Sequence, residues 1–258
     1  MFGRRKLRDS LDGVTVGFDA SRRPVRLAIR GSHTLIIGLT GSGKGSAIAS
    51  IVAALCRCSE PWELSFIDLK EGTEAAYYEH LITRKAYNLQ EAAELVDGLL
   101  DMVRNRAIEM HGQTRNLVPS DAYPQQILVI DEAAELATGV DKKTRETSQH
   151  LLQSLDELLR IGRSWGFSCI AATQDPRVEA FKLRPRFPQR LCLRVNDESE
   201  AQMCLGKHAV ELGARPWLLP SNLPGSCWAA STEGGMPQRF RFRFYTDDEI
   251  RGFQHAPR

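Results

Sequence analysis

The 258-residue chain has almost no net charge: 34 basic against 32 acidic residues leave +2. Bulk electrostatics therefore do not mark a nucleic-acid binder, and any such role must rest on local patches. No apolar run approaches the roughly 20 residues needed to cross a bilayer. The opening MFGRRKLRDSLDGV is basic but has no apolar segment behind it, so it does not read as a secretory signal. Only six cysteines are present, at 56, 58, 169, 192, 204 and 227, scattered through apolar stretches. Cys56-Arg57-Cys58 is too tight for CxxC metal spacing and has no second pair, which argues against zinc and for buried thiols in a reducing cytoplasm. Internal repeats, coiled-coil heptads, low-complexity linkers and an NKxD-type guanine motif are also missing. What remains is an ordinary globular balance, 42% apolar and 26% charged, with enough length for one main core.

Apolar runs bounded by turn signals alternate with segments of helical period. TLIIGL (34–39), LSFIDL (64–69), QILVID (126–131), FSCIAAT (167–173) and RLCLRV (190–195) read as buried strands. Residues 46–58, 89–110 and 149–166 carry apolar residues three and four apart and read as helices, the last with Gly166 as its C-cap. This alternation predicts an α/β fold: a mostly parallel central sheet with right-handed crossovers, covered by helices on both faces. VTVGFD and PVRLAIR predict a small N-terminal β ribbon over residues 1–30, with the main domain from 31 to 258. QRFRFRFY near the C-terminus alternates Phe240, Phe242 and Phe244 with Arg239, Arg241 and Arg243, a strand with a basic outer face.

Gly38-x-x-x-x-Gly43-Lys44 follows a predicted strand and opens a predicted helix, the context a P-loop requires. Thr40, Gly41, Ser42, Gly43, Lys44, Gly45 and Ser46 would cradle the phosphates of ATP with backbone N–H groups, the helix dipole and the lysine ammonium. Asp131 and Glu132 follow four apolar strand residues, at the strand end where ligands bind in an open α/β sheet. Asp131 is expected to orient Mg2+ and its waters. Glu132 is expected to polarise the attacking water, which points to hydrolysis. A neighbouring strand would bring Thr173 and Gln174 to face the γ-phosphate. One feature departs from the usual pattern. Gly45 occupies the place of the Ser or Thr that holds magnesium, and Ser46 comes one residue later, turned about 100° around the helix. Magnesium is therefore expected to lean on phosphate oxygens, waters and Asp131.

GLTGSGKGS (38–46), FIDLKEG (66–72), MVRNRAIEM (102–110), ILVIDEAAEL (127–136), RIGRSWGFSCIAATQDP (160–176), RFPQRLCLRVNDESEAQMCLG (186–206) and LPGSCWA (223–229) follow one another in an order that resembles the FtsK/SpoIIIE motor domain. Lys-Gly-Ser in the loop is most similar to plasmid and integrative-element transfer proteins of mycelial bacteria. The resemblance implies a RecA-like ATPase, assembled as a ring (a hexamer) around double-stranded DNA and pumping it by hydrolysis at subunit interfaces. It also implies an arginine acting in trans, with Arg190 first and Arg163 second. A secretion-type ATPase of the same superfamily, moving protein substrates, is the alternative. Larger family members carry membrane helices and a winged-helix reader, neither of which is read here, so a membrane-anchoring or DNA-reading partner protein is expected to supply them to a cytoplasmic motor. Candidate channel-lining cations are Arg104, Arg106 and Arg115, then Lys142, Lys143 and Arg145, then Lys182, Arg184 and Arg186.

Overall fold

The computed structural model describes residues 9–177 and 181–255, so the basic Met1–Arg8 segment of the expected N-terminal extension lies outside the described residues. In chain order the elements are β1 (Val14–Phe18), β2 (Pro24–Leu27), β3 (Thr34–Ile37), α1 (Lys44–Leu55), β4 (Trp62–Ile67), β5 (Ile82–Ala86), α2 (Leu89–Glu109) and β6 (Gln125–Ile130). They continue with α3 (Lys142–Gly162), β7 (Phe167–Thr173), β8 (Gln189–Cys192), α4 (Glu198–Leu205), α5 (Lys207–Glu211), β9 (Ser226–Ser231), β10 (Gln238–Phe242) and α6 (Asp247–Arg251). All ten strands form one sheet in the order β2-β1-β10-β9-β8-β3-β7-β6-β4-β5. From β8 to β5 the neighbours run parallel, and from β8 through β9, β10 and β1 to β2 they run antiparallel. The predicted α/β architecture is therefore present.

Period-two alternation distributes the strand side chains between two cores. Ile36, Ile127, Val129, Ile170, Ala172 and Leu191 point to the side packed by α1. Leu35, Ile37, Leu128, Ile130, Cys169 and Ala171 point to the side packed by α2, α3 and α4. α1 is buried continuously from Ala47 to Leu55, which suits a helix wedged between the sheet and the β1–β10 edge. The N-terminal end of that helix, where the Gly-rich loop enters it, is thus anchored by the apolar packing that follows.

Three local readings change. The predicted N-terminal ribbon is β1 paired antiparallel with β2, and β10 hydrogen-bonds it into the main sheet. α3 begins at Lys142, seven residues before the expected start. Its first two turns carry no apolar stripe, but Asp141 accepts from Thr144 N at 2.8 Å and Thr144 Oγ1 accepts from Asp141 N at 3.1 Å. That reciprocal cap starts the helix without help from burial. The helix also stops at Gly162 rather than Gly166, which has φ +73° in the turn to β7. In β10, Phe240 and Phe242 are buried opposite exposed arginines as expected, whereas Phe244 lies past the strand end and is 66% exposed.

His33, just ahead of β3, lies between Phe167 and Phe187 with ring centroids 5.8 and 5.9 Å away. Its Nδ1 accepts from Cys169 N at 3.0 Å, so Nε2 carries the hydrogen and donates to Leu159 O at 2.9 Å. Burial pushes this imidazole from 6.5 down to about 4. The unfolded chain then binds a proton that the folded chain refuses, so stability falls as pH drops from 6.5 towards 4. At pH 5 this loss is about 2 kcal/mol relative to pH 7.5. Denaturant midpoints at the two pH values should differ more in the wild type than in His33→Gln, and equal pH slopes would contradict the assignment.

Candidate nucleotide-binding and hydrolytic site

β3 ends at Ile37, and residues 38–43 turn into α1 at Lys44. Gly41 and Gly43 have φ of +73° and +103°, a region costly for other residues. A Cβ on Gly43 would lie 2.3 Å from Gly225 N. Gly225 N donates to Ser42 O at 2.8 Å, and Gly225 O accepts from Phe242 N at 2.9 Å. The Pro224-Gly225 turn ahead of β9 therefore backs the loop and ties it to β10. Ser46 faces that turn: its Cβ would touch a Gly225 Cβ at 3.9 Å. Lys44 Nζ donates to Gly38 O at 2.9 Å, which folds the ammonium over the loop. Burial pulls its pKa down, while the charges of Glu132 and Asp131 push it up.

The parallel register places β7 between β3 and β6, so the ends of all three strands converge. Asp131 follows β6 and is half-buried. Burial and the neighbouring Asp68 charge raise its pKa, opposed by Lys70. Glu132 is 9% exposed. Its Oε1 accepts from Gln174 N at 3.1 Å, while Oε2 has no hydrogen-bond partner among the described residues and lies 3.7 Å from Lys70 Nζ. The Gln174 side-chain oxygen in turn accepts from Thr40 Oγ1. Gln174 thus links the phosphate loop to Glu132 through its side chain and backbone. Lys44, Asp131, Glu132, Thr40 and Gln174 are thus neighbours at the ends of these strands.

Three further site residues come from the loop after β4, where the chemical reading had stopped at the strand. Asp68 is 1% exposed; Lys70 N donates to its Oδ1 at 3.0 Å, and Glu74 N and Ala75 N donate to Oδ2 at 2.8 and 3.1 Å. That clamp fixes the loop so that Lys70 faces Glu132 and Glu74 faces α1. Both Glu74 oxygens lie where a Gly45 Cβ would meet them, at 3.2 and 3.3 Å. Burial and the Asp131 charge raise the Glu74 carboxyl from 4.5 to about 7. The available signal was FIDLKEG itself, a strand ending in Asp and Lys at the ligand end of a parallel sheet.

The arginines are arranged less simply than their order suggests. Arg190, on β8, is 7% exposed, and its guanidinium donates to the carbonyls of Phe187, Arg184 and Cys204. The structure thus turns it inward onto backbone of its own chain, because those carbonyls at the β8 and α4 ends need donors. Arg163 is exposed at the opposite end of β3 from the phosphate loop, bonded to Gly31 O at 2.7 Å and to Glu233 at 3.2 Å. Among the basic clusters, Arg106 is buried on the carbonyls of Trp165, Gly166 and Pro124, and Arg184 is buried on Pro176 O. Arg104 pairs with Glu157 and Arg186 with Asp156. Arg115, Lys142, Lys143, Arg145 and Lys182 remain exposed.

The FtsK/SpoIIIE family model matches residues 4–122. A sporulation regulatory protein of Streptomyces azureus is 27% identical over 243 residues, 85% of this chain and 80% of that protein. A DNA translocase FtsK of Staphylococcus epidermidis is 24% identical over 77% of this chain but only 27% of its own length. An ESX secretion system protein EccC of Thermomonospora curvata is 28% identical over 79% of this chain and 17% of its own. The chain thus spans most of the first relative and a minor part of the other two. Among solved structures, the pCW3 conjugation coupling protein TcpA, a monomer form with ATPγS, superposes with a TM-score of 0.80 at 21% identity, covering 96% of this chain and 70% of that one. The cytoplasmic domain of the T. curvata type VII secretion ATPase EccC gives 0.74 at 23%, covering 98% of this chain and 32% of that one. At these identities the likeness is one of fold.

Proposed function

We propose that this chain, whose residues 4–122 match the FtsK/SpoIIIE family model, is the ATP-hydrolysing motor of a double-stranded DNA translocase, working as a ring. The observation that carries the hydrolytic part is Glu132, a buried carboxylate with one oxygen held by Gln174 N and the other without a hydrogen bond among the described residues. That arrangement leaves Oε2 to polarise a water, while Gln174 and Thr40 report on the terminal phosphate. Loop N–H groups and the start of α1 hold the phosphates, and Lys44 exchanges Gly38 O for a phosphate oxygen. Asp131, half-buried beside Lys44 and without a hydrogen bond from the described residues, fits a magnesium shell. The ion would neutralise charge on the phosphates. The trans arginine falls to Arg163, which is exposed, rather than to Arg190, whose donors are committed to carbonyls. Supporting a DNA cargo are relatives named as DNA translocases.

One observation favours the secretion reading: five of nine candidate channel cations (Arg104, Arg106, Lys142, Arg184 and Arg186) are buried or ion-paired within the chain, and an EccC secretion protein is among the relatives. Phosphate release with and without duplex DNA, at concentrations where rings form, separates the two. Duplex should raise the rate, the stimulation should fall with salt as phosphate contacts are screened, and Arg163→Ala should lose the stimulated rate while still binding ATP. An unstimulated wild type would sink the DNA reading and favour a protein cargo.

A further inference from the structure

The phosphate loop lacks a side chain at Gly45, where a hydroxyl normally joins the magnesium shell, and the structure puts a carboxylate against that gap. Both Glu74 oxygens would lie within 3.3 Å of a Gly45 Cβ. This is tighter than ordinary contact, so Glu74 occupies the space a serine there would need. Its placement is built: Asp68 accepts the Glu74 and Ala75 N–H groups, and Gly72, at φ +73°, closes the turn. Asp68 is spent on those bonds, so it has little left to offer a cation. Asp131 and Glu74 have theirs available, apart from a 3.4 Å contact between Tyr78 OH and Glu74 Oε1. Independently, the Glu132 side chain next to Asp131 is 8% exposed, and its Oε2 takes no hydrogen bond among the described residues and has Lys70 Nζ 3.7 Å away. Among the described residues no three His, Cys, Asp or Glu side chains form a ready-made cation cage. That suits magnesium, which keeps waters and substrate phosphates and takes one or two carboxylates from protein.

We infer that Glu74 replaces the missing loop hydroxyl, so that magnesium is held from two sides, by Asp131 after β6 and by Glu74 from the β4–β5 connection. Ser46, which faces Gly225, is not the substitute. This inference rests on the reading of the loop as an ATP site. A side effect follows from charge. Without metal, Glu74 repels the phosphates; with metal, it attracts the ion that neutralises them. The carboxylate therefore makes nucleotide binding more dependent on magnesium than a serine would.

The test titrates a fluorescent ATP analogue (mant-ATP) into the full chain in EDTA and across a Mg2+ series, for wild type, Glu74→Gln and Glu74→Ala/Gly45→Ser, whose alanine clears the space for the serine. In Glu74→Gln the Mg2+ concentration giving half-maximal tightening should rise about tenfold or more, while affinity in EDTA holds or improves. The added serine should bring the half-point back towards wild type. A half-point unchanged in Glu74→Gln overturns the inference. So does loss of binding in EDTA, which would make Glu74 a support of the loop rather than a metal group. A wild type that binds no mant-ATP in either condition overturns the ATP reading itself, a result distinct from both.

Discussion

Glu132→Gln should lower ATP turnover by about 10²–10⁴-fold while binding ATP at least as well as the wild type. The amide keeps an oxygen to accept from Gln174 N, the 3.1 Å bond that orients the side chain, so the pocket's shape survives. What disappears is the negative charge on Oε2, which has no hydrogen bond among the described residues and lies 3.7 Å from Lys70 Nζ. With that charge gone, nothing at this position draws a proton from an attacking water, and one source of repulsion towards the phosphates is removed. Phosphate release and mant-ATP titration on the same preparation separate the two effects. Turnover at the wild-type rate would move the water-activating role to another carboxylate.

Gly43→Ala should abolish nucleotide binding and destabilise the chain by roughly 2–4 kcal/mol. Two independent causes add. The residue has φ +103°, and its new Cβ would lie 2.3 Å from Gly225 N, which is backbone and cannot swing aside. Relief requires separating the loop from the Pro224-Gly225 turn and breaking the 2.8 Å bond from Gly225 N to Ser42 O. Gly41→Ala is the control: φ is +73°, but nothing lies within 4 Å of its Cβ. It should cost only the conformational term, about 1 kcal/mol, and retain binding. If Gly43→Ala bound mant-ATP as the wild type does, the cradle would not depend on that close approach.

The sheet was legible because its central strands each carry a short, mostly apolar run, as a sheet buried on both faces requires. The phosphate loop and the Asp131-Glu132 pair were legible because motif spacing and strand ends agree. β5 escaped because ITRKA is a short edge strand with only Ala86 fully buried, so no apolar run announces it. α3 began early because Asp141 and Thr144, not hydrophobic spacing, set its start. The arginines were the least legible. Nothing in a one-dimensional pattern tells that Arg106, Arg184 and Arg190 satisfy main-chain carbonyls inside the fold, whereas Arg163 stays at the surface. Lys70 and Glu74 were hidden for a related reason: their importance comes from the Asp68 clamp that aims them, a feature of folded loop geometry.

The short chain of bonds from Ser42 O to Gly225 N and from Gly225 O to Phe242 N has a mechanical meaning. It joins the phosphate cradle rigidly to the root of the β9–β10 hairpin, whose far face carries Arg239 and Arg241. Any movement of the cradle must therefore either break one of these two bonds or carry the antiparallel flank of the sheet with it, through β10 to the β1–β2 ribbon.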